Sequence, residues 1–154
     1  MKGIHNNRPS KPRYSAIWDV NLVLAYIGAM TTSTYMDLTL KTVALFMILS
    51  GSRVNMLSHF KLSNMTMTDT ECTILFDDVL KTSVEGERSK QMIFRAYPDD
   101  PSLCPVKTML RYLDVRGAKS IYDCIFTITV KPFTPAKPDT IANWLKKVLF
   151  FIRY

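Results

Sequence analysis

The sequence predicts an α+β fold that is mostly helical, in which helices flank a small antiparallel sheet. Two observations support this prediction. Two short segments rich in Ile, Leu and Phe enclose a polar loop, as the strands of a hairpin do. Apolar residues also recur at helical spacing in four longer segments: 19–27, 38–49, 105–116 and 139–152. Helices therefore come before and after the strands, an order typical of α+β domains.

Composition limits the class of protein. The chain has 154 residues, 47% of them hydrophobic and 21% charged, which suits one globular core. We expect a domain at 15–154 after a basic arm or linker at 1–14 that contains two prolines. The net charge of +7 is concentrated in residues 1–13 and 131–154. Basic ends favour an anionic partner such as nucleic acid, although a well-solvated surface is the alternative.

The first predicted helix begins at a capping residue. Asp19 can accept a hydrogen bond from the first free backbone N–H groups, so we expect a helix from there to about Ile27. Val20, Leu24 and Ile27 lie on one face of it, and Gly28 is the predicted stop.

A central helix and a short one follow. Residues 30–37 are rich in Thr and Ser and predict a loop. The helix at Leu38–Leu49 is apolar on all sides after Thr42, which predicts a buried position. A Gly/Ser break at 50–52 then leads to a short helix at Arg53–His59, whose inward residues are Val54 and Leu57.

The predicted strands are Cys72–Phe76, with a possible extension to Leu80, and Lys90–Arg95. Residues 83–87 between them read as a hairpin loop, and Pro98–Pro101 as a turn.

Two further helices complete the prediction. Pro105 suits a first helical turn and Gly117 a helix end, so we expect a helix at Pro105–Arg116. Its apolar stripe comprises Val106, Met109, Leu110 and Leu113. Residues 122–130 predict a short extended piece and 132–138 a loop with prolines. Asp139 is the predicted cap of the last helix, whose buried face comprises Ile141, Leu145, Val148, Leu149 and Ile152.

The cysteine pattern argues against a disulfide-bonded or a zinc-binding protein. Cys72, Cys104 and Cys124 are odd in number and never in CxxC spacing, so we expect buried thiols in a reducing compartment rather than disulfides or zinc ligands. The longest apolar run, 43–49, is too short to span a bilayer. We therefore expect an intracellular protein without a metal or a membrane anchor.

Two basic residues are candidates for phosphate chemistry. Arg53 opens a helix, where its guanidinium can hold a phosphate through two parallel N–H groups beside free backbone N–H groups. Lys81 stands where a strand meets the hairpin loop, in Leu80-Lys81-Thr82-Ser83, and a lysine at such a tip is ordinarily only solvated. Together, the arginine could neutralise phosphate oxygens and the lysine could protonate a leaving oxygen.

These residues and their surroundings resemble the tyrosine recombinases, the phage integrase superfamily. The likeness is greatest to recombinases of mobile elements of the DIRS and Crypton kind, and it covers nearly the whole chain. The segments that carry it are Leu49–Val54, Leu80–Ser83, Lys11–Ser15, Trp18–Val20, Leu62–Met65, Ala96–Pro101, Cys104–Val106, Val130–Pro132, Asp139–Ala142 and Trp144.

The resemblance implies a DNA strand-exchange enzyme that needs no metal or nucleotide cofactor. In that family a tyrosine attacks the scissile phosphate and forms a 3′-phosphotyrosyl intermediate, while two arginines, a histidine and a hairpin lysine stabilise the transition state. Arg53 matches the first arginine and Lys81 the lysine. The implied partner is double-stranded DNA, with a homo-oligomer on DNA and a nuclear location as options. We expect phosphate contacts from Lys11, Arg13, Lys131, Asn143, Lys146 and Lys147.

The chain also departs from the family. The His-x-x-Arg cluster would follow the last helix, and the nucleophilic tyrosine would come later still, but the sequence stops at Tyr154, which lies too close to that helix to be the nucleophile. Met56 stands where the family often has an acidic residue. We therefore expect a partial catalytic domain that binds DNA and does not cut it unaided, which leaves enzyme activity open.

The alternative is a small basic helical module that binds protein or RNA and has no catalytic role. It predicts that Arg53 and Lys81 do not approach each other. Other candidates are expected to be structural: His59 within its short helix, and the pairs Asp77-Asp78 and Asp99-Asp100 as turn residues.

Overall fold

A computed structural model describes residues 19–76 and 90–152 of the chain. The helices in these ranges are α1 (Val20–Ala29), α2 (Tyr35–Ser50), α3 (Val54–Ser58), α4 (Pro105–Arg116) and α5 (Pro138–Ile152). The strands are β1 (Met65–Met67), β2 (Glu71–Phe76) and β3 (Lys90–Arg95). The fold is α+β and mostly helical, as predicted. The predicted arm at 1–14 and the hairpin loop at 83–87 lie outside the described residues.

Helix α1 begins where the sequence predicts but extends further. The Asp19 carboxylate accepts a hydrogen bond from the Asn21 N–H at 2.9 Å. The helix runs to Ala29, so Gly28 lies in its last turn and is not its stop. Of the predicted face of Val20, Leu24 and Ile27, only Ile27 is fully buried, and the Val20 side chain is 54% exposed, because α1 buries only a narrow face at Val23 and Ile27.

Helix α2 begins three residues before the predicted Leu38, so the loop predicted at 30–37 is shorter. A reciprocal cap explains the early start. The Thr34 hydroxyl accepts from the Asp37 N–H at 3.1 Å, and the Asp37 carboxylate accepts from the Thr34 N–H at 3.2 Å. The helix ends at Gly51, which adopts a left-handed φ of 57°.

The sheet has the order β1-β2-β3, with each neighbouring pair antiparallel. Cys72 of β2 lies opposite Phe94 of β3. The predicted pairing of these two strands is therefore confirmed. Strand β1 was not predicted, because it is only three residues long and its Met-Thr-Met sequence lacks a strand signal.

Aromatic side chains fill the main core between the sheet and the helices. The rings of Phe46 and Phe94 have centroids 4.4 Å apart, and Phe126 lies 6.1 Å from Phe60 and 5.5 Å from Tyr112. A second buried cluster joins α1, α2 and α5 through Val23, Ile27, Ala44, Leu45 and Val148. Both clusters include residues of α2, which confirms its predicted buried position.

Helix α4 has the predicted bounds but a different buried face. Leu110 is 46% exposed, whereas Tyr112 is fully buried. Tyr112 is not part of the predicted stripe of Val106, Met109, Leu110 and Leu113. Its hydroxyl nevertheless finds polar partners inside the core, including the Ile125 carbonyl at 3.2 Å.

Helix α5 begins at Pro138, so Asp139 lies in its first turn and the prediction that it is the cap is wrong. Of the predicted inward face, Ile141 and Val148 are buried, with the rest half-buried. Between α4 and α5, the segment at 122–130 forms isolated bridges and no strand. The buried Arg116 holds part of it through the Tyr122 carbonyl at 2.8 Å.

Candidate nucleic-acid interface

Arg53 stands in a tight turn between α2 and α3. The Ser50 and Ser52 hydroxyl oxygens are 2.8 Å apart, and the Ser50 hydroxyl also accepts from the Ser52 N–H at 3.2 Å. After the left-handed Gly51, this turn leads the chain out of the core. Arg53 has extended backbone angles at the position before α3, and its side chain is exposed.

Helix α3 packs against α5. Leu57 of α3 is fully buried in the same cluster as Ile141 and Trp144 from the first half of α5. Arg53 therefore precedes an element that is anchored beside the start of α5.

The polar side of α5 carries three of the predicted DNA contacts. Asn143, Lys146 and Lys147 are exposed, and their spacing of three and four residues gathers them on one side of the helix. Lys131, in the loop before α5, is exposed as well. Their exposure leaves these side chains available to a partner, and their role in binding DNA stays a prediction.

The approach of Arg53 to Lys81 stays untested, because Lys81 lies outside the described residues, as do Lys11 and Arg13. The described ends of that hairpin are informative all the same. The ring of Phe76, the last residue of β2, has its centroid 5.7 Å from that of Phe60, which follows α3 by two residues. The described end of the strand that leads to Lys81 thus lies beside the residue that follows α3, at the opposite end of that short helix from Arg53.

Asp100, of the acidic pair at 99–100, is a turn residue, as predicted. One oxygen of the Asp100 carboxylate accepts from the Ser102 N–H at 2.9 Å and from the Ser102 hydroxyl at 2.6 Å. These hydrogen bonds lower the pKa of Asp100 and cap a short 3-10 turn at Pro101–Leu103. The pair Asp77-Asp78 lies outside the described residues.

The cysteines differ in burial. Cys72 and Cys104 are buried, as predicted, whereas Cys124 is only half-buried because it lies in the irregular segment after α4. Across residues 19–76 and 90–152, no group of three or more His, Cys, Asp or Glu side chains is arranged to hold a metal ion. In the same ranges, none of the helices combines the length and the apolar character that crossing a membrane requires.

Sequence reasoning missed one group of cations. Lys41 of α2 and Lys107 and Arg111 of α4 line a single polar pocket. The sequence signal for this group is Lys41, a lysine inside an otherwise apolar helix. That helix packs against α4. The other two residues look like ordinary surface cations in the sequence.

Searches of family models, curated proteins and solved structures found no match to this chain. The resemblance to tyrosine recombinases therefore depends on the sequence motifs alone.

Proposed function

We propose that this chain is a DNA-binding catalytic-domain fragment of a tyrosine recombinase, of the kind that acts in DNA integration and recombination. The observation that carries the proposal is the contact of Phe60 with Phe76 at 5.7 Å. It brings the described end of β2, the strand that leads to Lys81, next to Phe60, two residues after the short helix that begins at Arg53. The family's arginine and hairpin lysine need this neighbourhood if they are to share one phosphate.

The proposed chemistry follows from the two side chains. The Arg53 guanidinium is always charged and can donate two parallel hydrogen bonds to non-bridging phosphate oxygens. The Lys81 ammonium can donate to an oxygen of the same phosphate. Exposure of Arg53 in the turn after α2 leaves its side chain accessible to a duplex.

Further phosphate contacts are proposed for the polar side of α5, which packs beside α3. Asn143, Lys146 and Lys147 present one neutral and two cationic donors there. Phosphate contacts of this kind position a protein on DNA without reading its sequence. The proposed binding is therefore largely independent of DNA sequence. The remaining proposed contacts are Lys11, Arg13 and Lys131.

Binding without unaided cleavage is part of the proposal. The residues that match the family supply an arginine and a lysine of the site but no nucleophile. A positioned acid or base contributes roughly 10²–10⁴-fold to a rate, and neither replaces the group that attacks the phosphate.

Fluorescence anisotropy with a short labelled duplex, repeated over a salt series, tests the proposal. Each neutralised phosphate contributes roughly −0.9 to the slope of log K against log salt. We expect Arg53→Gln to make the slope shallower by about 0.9 and to weaken binding roughly tenfold at low salt. Lys146→Gln and Lys147→Gln should each change the slope by a similar amount.

Lys119→Gln is the matched control, because it removes the same charge from an exposed site. The Lys119 ammonium lies 5.9 Å from the ring centroid of Tyr35, at the opposite end of α2 from Arg53. That separation is about 24 Å along the helix axis. A salt response that does not differ between Arg53→Gln and Lys119→Gln would refute the proposed role of Arg53. Tighter binding of an RNA of equal length would favour the basic-module alternative.

A further inference from the structure

A polar pocket of about 340 Å³ lies between α2, α4 and the 3-10 turn at Pro101–Leu103. Lys41 reaches it from α2, and Lys107 and Arg111 reach it from α4. The hydroxyl-bearing residues Ser102 and Thr108 also line it. Its volume is at the lower end of the range for small-molecule sites.

The packing of α2 against α4 creates this grouping. Lys107 and Arg111 are four residues apart, so they lie one turn above each other on the same side of α4. The Arg111 guanidinium donates to the Thr32 carbonyl at 3.3 Å, and the Lys41 ammonium donates to the Gly28 carbonyl at 3.3 Å. Both contacts are to neutral backbone oxygens and not to carboxylates.

Lys41 is the unusual member, because its side chain is only 6% exposed. Burial lowers its pKa, the charge of Asp100 partly offsets that effect, and the charge of Arg111 adds to it. Its hydrogen bond to Gly28 satisfies a carbonyl near the end of α1, which is a structural role. That role accounts for Lys41 but not for two more cations in the same pocket.

The charges leave an excess of cation in the pocket. Asp100 is the carboxylate whose field reaches Lys41, and its Oδ1 atom already accepts two hydrogen bonds from Ser102. Three cations and one such carboxylate leave an excess of about two positive charges, which favours an anionic phosphate group. Tetrahedral phosphate oxygens can also accept from donors on different elements, and this pocket offers an ammonium from α2 and an ammonium and a guanidinium from α4.

We propose that this pocket binds one phosphate group, held by Lys41, Lys107 and Arg111. The group has two possible sources, a small phosphorylated molecule or the backbone of a nucleic acid. The site is separate from Arg53, since Lys41 lies nine residues before the end of α2, about 13 Å along its axis. Phosphate binding in the pocket and DNA binding at Arg53 can therefore succeed or fail independently.

Isothermal titration of the full chain with inorganic phosphate, at constant ionic strength set by chloride, tests the proposal. We expect saturable binding with one site per chain. Lys41→Met keeps the apolar stem and removes the charge, and Arg111→Gln removes a charge at an exposed position. Each should weaken phosphate binding by about tenfold or more, because hydrogen bonds to charged groups are among the stronger ones. Lys137→Gln, an exposed change outside the pocket, should leave binding unchanged.

Denaturant unfolding of each variant checks that it folds. If Lys41→Met does not fold, Arg111→Gln still tests the proposal. Absence of saturable phosphate binding, or equal affinity in Arg111→Gln and Lys137→Gln, would overturn the proposal. Adding a short duplex identifies the source once binding is established. If the duplex displaces the bound phosphate, the pocket is assigned to a nucleic-acid backbone. If phosphate stays bound in the presence of the duplex, the pocket is assigned to a small phosphorylated molecule.

Discussion

Replacing Tyr112 by phenylalanine removes one hydroxyl from the centre of the main core and leaves the ring in place. The hydroxyl donates to the Ile125 carbonyl at 3.2 Å and lies 3.3 Å from the Tyr35 hydroxyl oxygen. It also accepts from the Thr127 N–H at 3.5 Å. The phenylalanine ring keeps its packing against Phe126, whose centroid lies 5.5 Å away.

The expected loss of stability follows from the hydrogen-bond partners that the phenylalanine would leave unsatisfied. A buried polar group without a hydrogen bond costs about 1–3 kcal/mol, and the Ile125 carbonyl would be such a group. The contact to the Thr127 N–H is at the limit of hydrogen-bond length and adds little. We therefore expect Tyr112→Phe to lower the free energy of unfolding by about 2 kcal/mol.

Guanidinium chloride unfolding measures this difference, and an unchanged m-value would show that the extent of unfolding is the same. Tyr35→Phe is the matched control. It removes a part-buried hydroxyl that lies 2.8 Å from the Thr127 hydroxyl oxygen, so we expect a smaller loss of about 1 kcal/mol. A change within about 0.5 kcal/mol for Tyr112→Phe would refute the reasoning.

The buried Tyr112 hydroxyl also predicts that the stability difference between the wild type and Tyr112→Phe depends on pH. Burial raises the pKa of Tyr112 well above its usual value of 10.0. The folded protein therefore keeps this proton at a pH where the unfolded chain loses it, and stability falls as the pH rises above about 10. The advantage of the wild type over Tyr112→Phe should be complete below that pH and shrink above it.

Two further predictions concern the turn and the thiols. Gly51→Ala should lower the free energy of unfolding by about 1–2 kcal/mol, because a φ of 57° is unfavourable for alanine. The added Cβ would meet no atom within 4 Å, so the backbone conformation alone causes the loss. An unchanged free energy of unfolding would contradict a left-handed cap at this position. Burial raises the pKa of the Cys72 thiol to about 12. Burial also raises the pKa of Cys124, but that thiol is only half-buried and therefore more accessible. Mass-spectrometric mapping should find Cys124 modified first in the native protein and all three cysteines in denaturant; equal native reactivity of Cys72 and Cys124 would contradict this order.

Local signals explain where sequence reasoning succeeded. Pro105 and Gly117 are a helix-start and a helix-end residue, and α4 has the bounds that they predict. Lys90–Arg95 is a strand as predicted, because its apolar content and flanking turns suffice. The Thr- and Ser-rich run at 30–37 predicts a loop, but Thr34 and Asp37 form a capping box, which starts α2 earlier than predicted.

The rest depends on contacts between distant segments. Strand β1 exists because β2 pairs with it, and Tyr112 is buried because Ile125 and Tyr35 lie within reach of its hydroxyl. The sequence predicted that Arg53 follows a break between helices. It did not predict the pocket of Lys41, Lys107 and Arg111, because only the packing of α2 on α4 brings those residues together.

An experimental structure of the chain bound to a short DNA duplex tests the central proposal most directly. The quantity to measure is the distance from the Arg53 guanidinium and from the Lys81 ammonium to the nearest phosphate oxygens. The proposal predicts that both side chains contact one phosphate group, each at about 2.9 Å. Arg53 and Lys81 on opposite sides of the domain, or a duplex that contacts neither of them, would contradict it.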